Sequence, residues 1–193
     1  MVTASESKAA LRNRFRREIP PPDRTVSGSI SERLTGMETL RSARTVALFC
    51  AAQPEPDLTA VAVEIESRGA RLAWPRVTGE GQMEFRAAKA SGPFVAGAFG
   101  LREPAPAAEL VPLAEIDVLL VPGLAFDLAG YRLGRGKGFY DRVLGDAGFR
   151  GVSVGVAADA FVVDELPREA WDRPVHRLVT ETRDLRIRKQ QGD

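Results

Sequence analysis

Cysteine and histidine occur once each in this chain, as Cys50 and His176. A single cysteine forms no intramolecular disulfide, and a single histidine with no cysteine partner at metal spacing leaves no zinc cluster. Neither a Ser-His-Asp nor a Cys-His catalytic pair is supported by spacing. Cys50 sits inside the apolar run Val46 to Ala52 and His176 in a predicted strand, so both read first as packed structural residues. A reducing compartment follows, and a cytoplasmic location is expected. A dominant charge is also missing, since 27 Lys and Arg face 26 Asp and Glu for a formal net charge of +1. No global field recruits nucleic acid or a membrane surface, and any anion site must be a local cluster. The longest apolar runs, about five to seven residues, fall far short of the roughly 20 that cross a bilayer. The polar, basic first residues carry no signal-peptide core.

What remains is an ordinary globular composition, with 193 residues, 44% hydrophobic and 27% charged. Such a length predicts one domain, 1–193, that buries about 70% of its unfolded surface without needing disulfides or metal. The first forty residues read as two helices broken at Pro20-Pro21-Pro22. Thr3 with Glu6 and Ser29 with Glu32 have capping-box spacing. Leu11, Phe15 and Ile19 form an apolar stripe beside the basic stripe Lys8, Arg12, Arg16, which by itself is a solvated face. Thr45 to Ala52 reads as a strand, Asp57 as the cap of a helix with Leu58, Val61, Ala62 and Ile65 inward, and Ala70 to Pro75 as the next strand. Gln82 to Ala88 reads as a further strand, and the Gly-, Ala- and Pro-rich Ser91 to Pro112 as a surface loop. Ile116 to Val121 is a central strand, Phe139 to Ala147 a helix, and Gly151 to Ala157 and Val175 to Val179 two more strands. Alternating strands and helices predict an α/β fold with a largely parallel sheet.

The chemistry concentrates in Asp127 to Arg142, DLAGYRLGRGKGFYDR, between a buried strand and a helix. Gly134, Gly136 and Gly138 at alternate positions free the backbone to aim N–H groups at one point, with Arg132, Arg135 and Lys137 as mobile cationic donors. The run is a candidate phosphate cradle, and its bland alternative is a tight turn with solvated arginines. Lys137 is followed by Gly138 rather than Ser or Thr, so it is not a Walker loop, and the glycine spacing does not fit a dinucleotide fingerprint. Asp141, in the first turn of the helix, either complements the helix dipole or holds Mg²⁺ beside a polyphosphate.

The block from Asp117 through Asp141, DVLLVPGLAFDLAGYRLGRGKGFYD, resembles the 5-formyltetrahydrofolate cyclo-ligase family almost without gaps. Weaker likenesses extend it: Lys8, Leu11 and Arg12; Glu55 and Asp57; Pro75 and Arg76; Met83 to Phe85; Phe99 to Pro104; Val163 to Pro167; Val179 to Glu181. The resemblance implies a three-layer α/β/α fold with a mixed, largely parallel sheet, similar to ribose-5-phosphate isomerase and coenzyme A transferases. It implies ATP- and Mg²⁺-dependent closure of 5-formyltetrahydrofolate to 5,10-methenyltetrahydrofolate, with small molecules as the partners; a monomer is expected, although the sequence itself does not fix the oligomeric state. In the roles it implies, Lys8, Arg12 and the loop Arg132, Leu133, Gly134, Arg135, Gly136, Lys137, Gly138, Phe139 and Tyr140 bind ATP. Cys50, Glu55, Phe99 and Arg135 to Phe139 face the folate, Arg135 and Lys137 act in catalysis, and Asp141 and Asp164 attend the metal. Where the family has an ExDT turn this chain reads EPDL, with Pro56 and Leu58, and Trp171 and His176 also depart from the pattern. A relative with the nucleotide site and another substrate, or a non-catalytic nucleotide-binding protein, are the competing readings.

Overall fold

The computed structural model describes residues 6–187. Ser7 caps α1 (Lys8–Glu18) by accepting from the Ala10 N–H at 3.3 Å, while the proposed cap Thr3 lies outside the described residues. After the proline break, Asp23 caps α2 (Arg24–Gly36) through the Val26 N–H at 2.9 Å. Ser29 and Glu32 therefore lie within the helix rather than at its start, because Asp23 offers an acceptor as soon as the prolines end. A short α3 (Glu38–Arg41) leads into β1 (Thr45–Ala47), and α4 (Thr59–Ser67) into β2 (Arg71–Gly79) and β3 (Gln82–Ala87). Asp57 precedes α4 and accepts from both the N–H and the hydroxyl of Thr59. Then follow β4 (Phe94–Ala96), β5 (Arg102–Pro104), β6 (Leu110–Val111), β7 (Val118–Val121), β8 (Ala125–Asp127) and β9 (Arg132–Leu133). The chain continues through α5 (Phe139–Gly145), β10 (Val152–Val156), β11 (Val162–Val163), β12 (Arg177–Val179) and β13 (Asp184–Arg186).

Eight strands form one sheet in the order β13-β12-β10-β7-β1-β2-β3-β6. Its centre, from β12 to β2, is parallel, and its flanks are antiparallel, which gives the expected α/β class with a mixed sheet. Side chains alternate across the sheet, so β7 sends Val118 and Leu120 to one core and Leu119 and Val121 to the other. The first core takes Ile30 and Leu34 of α2, Leu40 of α3 and Val61 and Ile65 of α4; the second takes Leu11 and Phe15 of α1 and Val143 of α5.

The segment 91–112 departs from the expected open loop. Strands β4 and β5 pair as a hairpin, anchored where Phe94 packs edge-on against Trp74 at 5.2 Å. Glycine and proline content marks where the chain turns, but here the packing on Trp74 decides that the pieces between the turns are ordered as strands. A second tie comes from Asp127, fully buried, whose carboxylate accepts from the N–H groups of Ala129, Tyr131 and Leu166 and from Arg168. It joins the β8–β9 hairpin to the segment before β12 and so sets where the glycine loop begins.

Candidate active site

The carboxyl ends of the parallel strands converge on one cavity of about 310 Å³, the edge where α/β sheets place ligands. Phe49 and Cys50 follow β1, Pro75 and Val77 come from β2, and Pro122 and Gly123 follow β7. Met83 of β3, Phe99 and Leu101 complete an apolar wall. The opposite wall is the loop leaving β9, with Arg132, Gly134, Arg135, Lys137, Gly138, Phe139, Tyr140 and Asp141.

That loop is shaped by glycine where the backbone needs it. Gly136 and Gly138 have φ of 96° and 67°, a region that L side chains avoid, and Gly138 sits at the start of α5. Arg12 reaches across from α1 and donates from Nε to the Gly134 carbonyl at 2.8 Å, with its guanidinium packed beside Gly136. Because α5 has only seven residues, the positive field at the loop comes chiefly from side-chain cations. Leu133 is buried in the second core and does not line the cavity.

The cations differ in what holds them. Arg132 is almost fully buried and pairs with Asp141 Oδ1 at 2.9 Å, above the Tyr140 ring. Burial pulls its pKa down while Asp141 opposes the shift, so the carboxylate keeps a buried charge in place. Arg135 swings to the β1 side, where it donates to the carbonyls of Ala52 and Gln53 and to Glu55 Oε1 at 3.2 Å. Lys137 stands 5.5 Å from the Phe99 ring centre, and Phe99 meets Phe139 at 6.2 Å. Lys8 is not among the residues lining the cavity: its ammonium lies between Glu169 at 2.7 Å and Asp172 at 2.5 Å, in the turn before β12.

Glu55 is held on both oxygens, Oε2 by the Ala52 N–H at 2.8 Å and Oε1 by Arg135. Burial nevertheless pushes its pKa up. The Cys50 thiol is also raised by burial, to about 11, and stays a neutral wall residue rather than a nucleophile. Tyr140 has its hydroxyl fully buried and without a hydrogen-bond partner among the described residues, and burial drives its pKa up so that it remains a donor. A buried, unsatisfied donor on a cavity wall suits a ligand acceptor.

Cys50, Glu55, Phe99, Asp141 and the side chains of the loop thus meet at one cavity, while Asp164, after β11, is exposed and does not line it. Among the described residues no group of three or more His, Cys, Asp or Glu is gathered for a metal. Mg²⁺ bound through a single carboxylate, water and substrate phosphates needs no such group. Asp141 therefore fits an ion that arrives with a polyphosphate. Arg16, Pro75, Met83 and Glu103 also line the cavity, although the sequence alone gives none of them a site role. Their signal was present in the basic stripe and in the short likenesses at 75–76, 83–85 and 99–104, whose residues lie far apart in the chain.

Comparisons with known proteins agree with this geometry. A 5-formyltetrahydrofolate cyclo-ligase from Mycolicibacterium smegmatis is 36% identical over 151 residues, covering 75% of this chain and 77% of the relative. The 5-formyltetrahydrofolate cyclo-ligase of Escherichia coli K12 is 30% identical over 174 residues, 88% of this chain and 96% of its own. Among solved structures, Aquifex aeolicus 5,10-methenyltetrahydrofolate synthetase superposes with a TM-score of 0.82 at 36% identity, covering 96% of this chain and 95% of that one. With the family model for 5-formyltetrahydrofolate cyclo-ligases matching residues 4–181, and with the glycine loop and apolar wall meeting at one cavity, the chain belongs to the 5-formyltetrahydrofolate cyclo-ligase family.

Proposed function

We propose that this enzyme converts 5-formyltetrahydrofolate to 5,10-methenyltetrahydrofolate with MgATP as co-substrate. The observation that carries the reading is the division of one cavity between a cationic glycine loop and an apolar wall, with Arg135 and Glu55 paired at their junction. A polyphosphate and a flat, largely apolar heterocycle can then meet end to end.

A formyl oxygen is a poor leaving group, so the first step is attack of that oxygen on the γ-phosphorus, with the bond to ADP breaking. N10 then attacks the formyl carbon, the five-membered ring closes with loss of the N10 proton, and inorganic phosphate departs carrying the former formyl oxygen. Neither step requires a protein nucleophile, and catalysis is positioning and charge stabilisation. Arg12 and the backbone of Gly134 to Gly138 orient the polyphosphate, and Lys137 and Arg135 face the charge that develops during transfer. Mg²⁺, held by Asp141 directly or through water, supplies neutralisation of the phosphates when bound. Phe99 and Phe139 flank the ring system, and Glu55 retains lone pairs to accept from its N–H groups.

The test is the absorbance of methenyl product formed from 5-formyltetrahydrofolate, with and without ATP and with magnesium chelated. Substrate labelled with ¹⁸O in the formyl group is expected to yield labelled phosphate. Product without ATP consumption, or label left in water, would reject the phosphorylation route. ATP consumption only with a non-folate compound would reject the substrate.

A further inference from the structure

Glu103, on β5, is a carboxylate only 4% exposed at a cavity wall, and the reaction proposed above gives it nothing to do. Its Oε1 accepts from two backbone N–H groups that belong to different parts of the fold, Val77 of β2 at 3.3 Å and Ala98 of the hairpin turn at 3.2 Å. Oε2 faces Arg76 at 3.4 Å, and Arg76 in turn donates to the Pro104 carbonyl at 2.7 Å. Gly97 packs so tightly on this side chain that a Cβ there would lie 2.3 Å from its carbons. One residue past Ala98 comes Phe99, the one non-glycine residue with positive φ (57°) among the described residues. The residue is 63% exposed, and its ring lies above Lys137 and against Phe139. An aromatic residue in that conformation costs backbone energy and persists only where its surroundings hold it.

We infer that Glu103 is a positioning residue: by tying the 97–101 turn to β2, it holds the Phe99 ring over the cavity mouth, where that ring covers the heterocycle of the bound substrate. Phe99 meets the glycine loop only at Lys137 and Phe139 among the described ring contacts, so the tie acts chiefly on the heterocycle and less on the polyphosphate. The kinetic part of this inference rests on the folate reading, whereas the tie itself can be read in the ligand-free protein.

Four variants test it: Glu103→Ala, Glu103→Gln, Phe99→Ala and the double Glu103→Ala/Phe99→Ala. Glu103→Ala is expected to raise KM for 5-formyltetrahydrofolate by roughly tenfold, as for loss of a well-packed aromatic contact, with KM for MgATP raised much less. Glu103→Gln keeps an oxygen able to accept from both N–H groups and is expected to restore most of that loss. The double variant is expected to match Phe99→Ala alone, because Glu103 acts through the ring. Additive losses, an equal rise in KM for ATP, or a Gln variant as impaired as Ala would overturn the inference. If Glu103→Ala does not fold, Gly97→Ala takes its place, since its methyl group displaces the turn with the carboxylate intact; an unchanged folate KM there also overturns it. Hydrogen exchange of residues 97–101 without ligand is expected to speed up in Glu103→Ala or Gly97→Ala, and unchanged exchange would sink the tie. A wild type that makes no methenyl product defeats the proposed function, while the exchange result still decides the tie.

Discussion

The cationic wall of the cavity comes from one continuous stretch, Arg132 to Asp141, joined by Arg16 of α1, whereas the apolar wall is collected from the end of β1, from β2 and β3, the 97–103 hairpin and the turn after β7. Within the first wall the charges are held differently. Arg132 is buried and balanced by Asp141, while Lys137 is exposed over an aromatic ring. A cationic loop needs backbone geometry and charge, which neighbouring residues can supply, but a fitted apolar wall needs surfaces that only a sheet edge brings together. Damage to the first wall is therefore expected to follow burial, and damage to the second to follow shape.

The largest effect is expected at Arg132. Arg132→Ala leaves Asp141 without its partner in a mostly buried position, which costs about 3 kcal/mol of stability and abolishes turnover together. Thermal melts and single-turnover assays measure both; a stable but inactive variant would make Arg132 a ligand contact and not a support. Lys137→Ala comes next, with a ten- to hundredfold weaker use of ATP, about 1.5–3 kcal/mol, and almost no change in melting temperature. Equal ATP kinetics in variant and wild type would remove Lys137 from the nucleotide wall.

Smaller effects sharpen the contrast at the junction. Burial raises the Glu55 pKa, so the folded protein binds that proton more tightly than the unfolded chain does. Its contribution is present below the unfolded carboxylate value and is lost as pH rises through the higher folded value. Glu55→Gln is expected to flatten this loss in melts taken from acid to neutral pH, and to weaken folate use more than ATP binding. An unaltered pH profile would mean that Arg135 fully compensates the burial. The smallest effect is chemical: with its pKa raised to about 11, Cys50 is expected to alkylate at neutral pH far more slowly than a free thiol, and more slowly still with substrate bound. Fast labelling would place the thiol at the open edge of the apolar wall.

Local signals anticipated the β-α-β order, the buried β7 run and the glycine loop, because hydrophobic period and glycine spacing are read over a few residues. They do not show that α2 starts at Asp23 rather than Ser29, nor that packing on Trp74 builds a hairpin within 91–112. Glu103 was one acidic residue among 26 until the fold placed β2 and the hairpin turn around it.

By itself the sequence determined the class of fold, the glycine-rich cationic run between Arg132 and Asp141 and the scarcity of nucleophiles, since each rests on residue types at short spacing. Tertiary structure alone decided that Arg135 turns to Glu55, that Lys8 is held by Glu169 and Asp172, and that Phe99 stands over Lys137. Those partners lie from 38 to 164 positions apart, and which long side chain meets which carboxylate is settled by where the sheet sets their backbones.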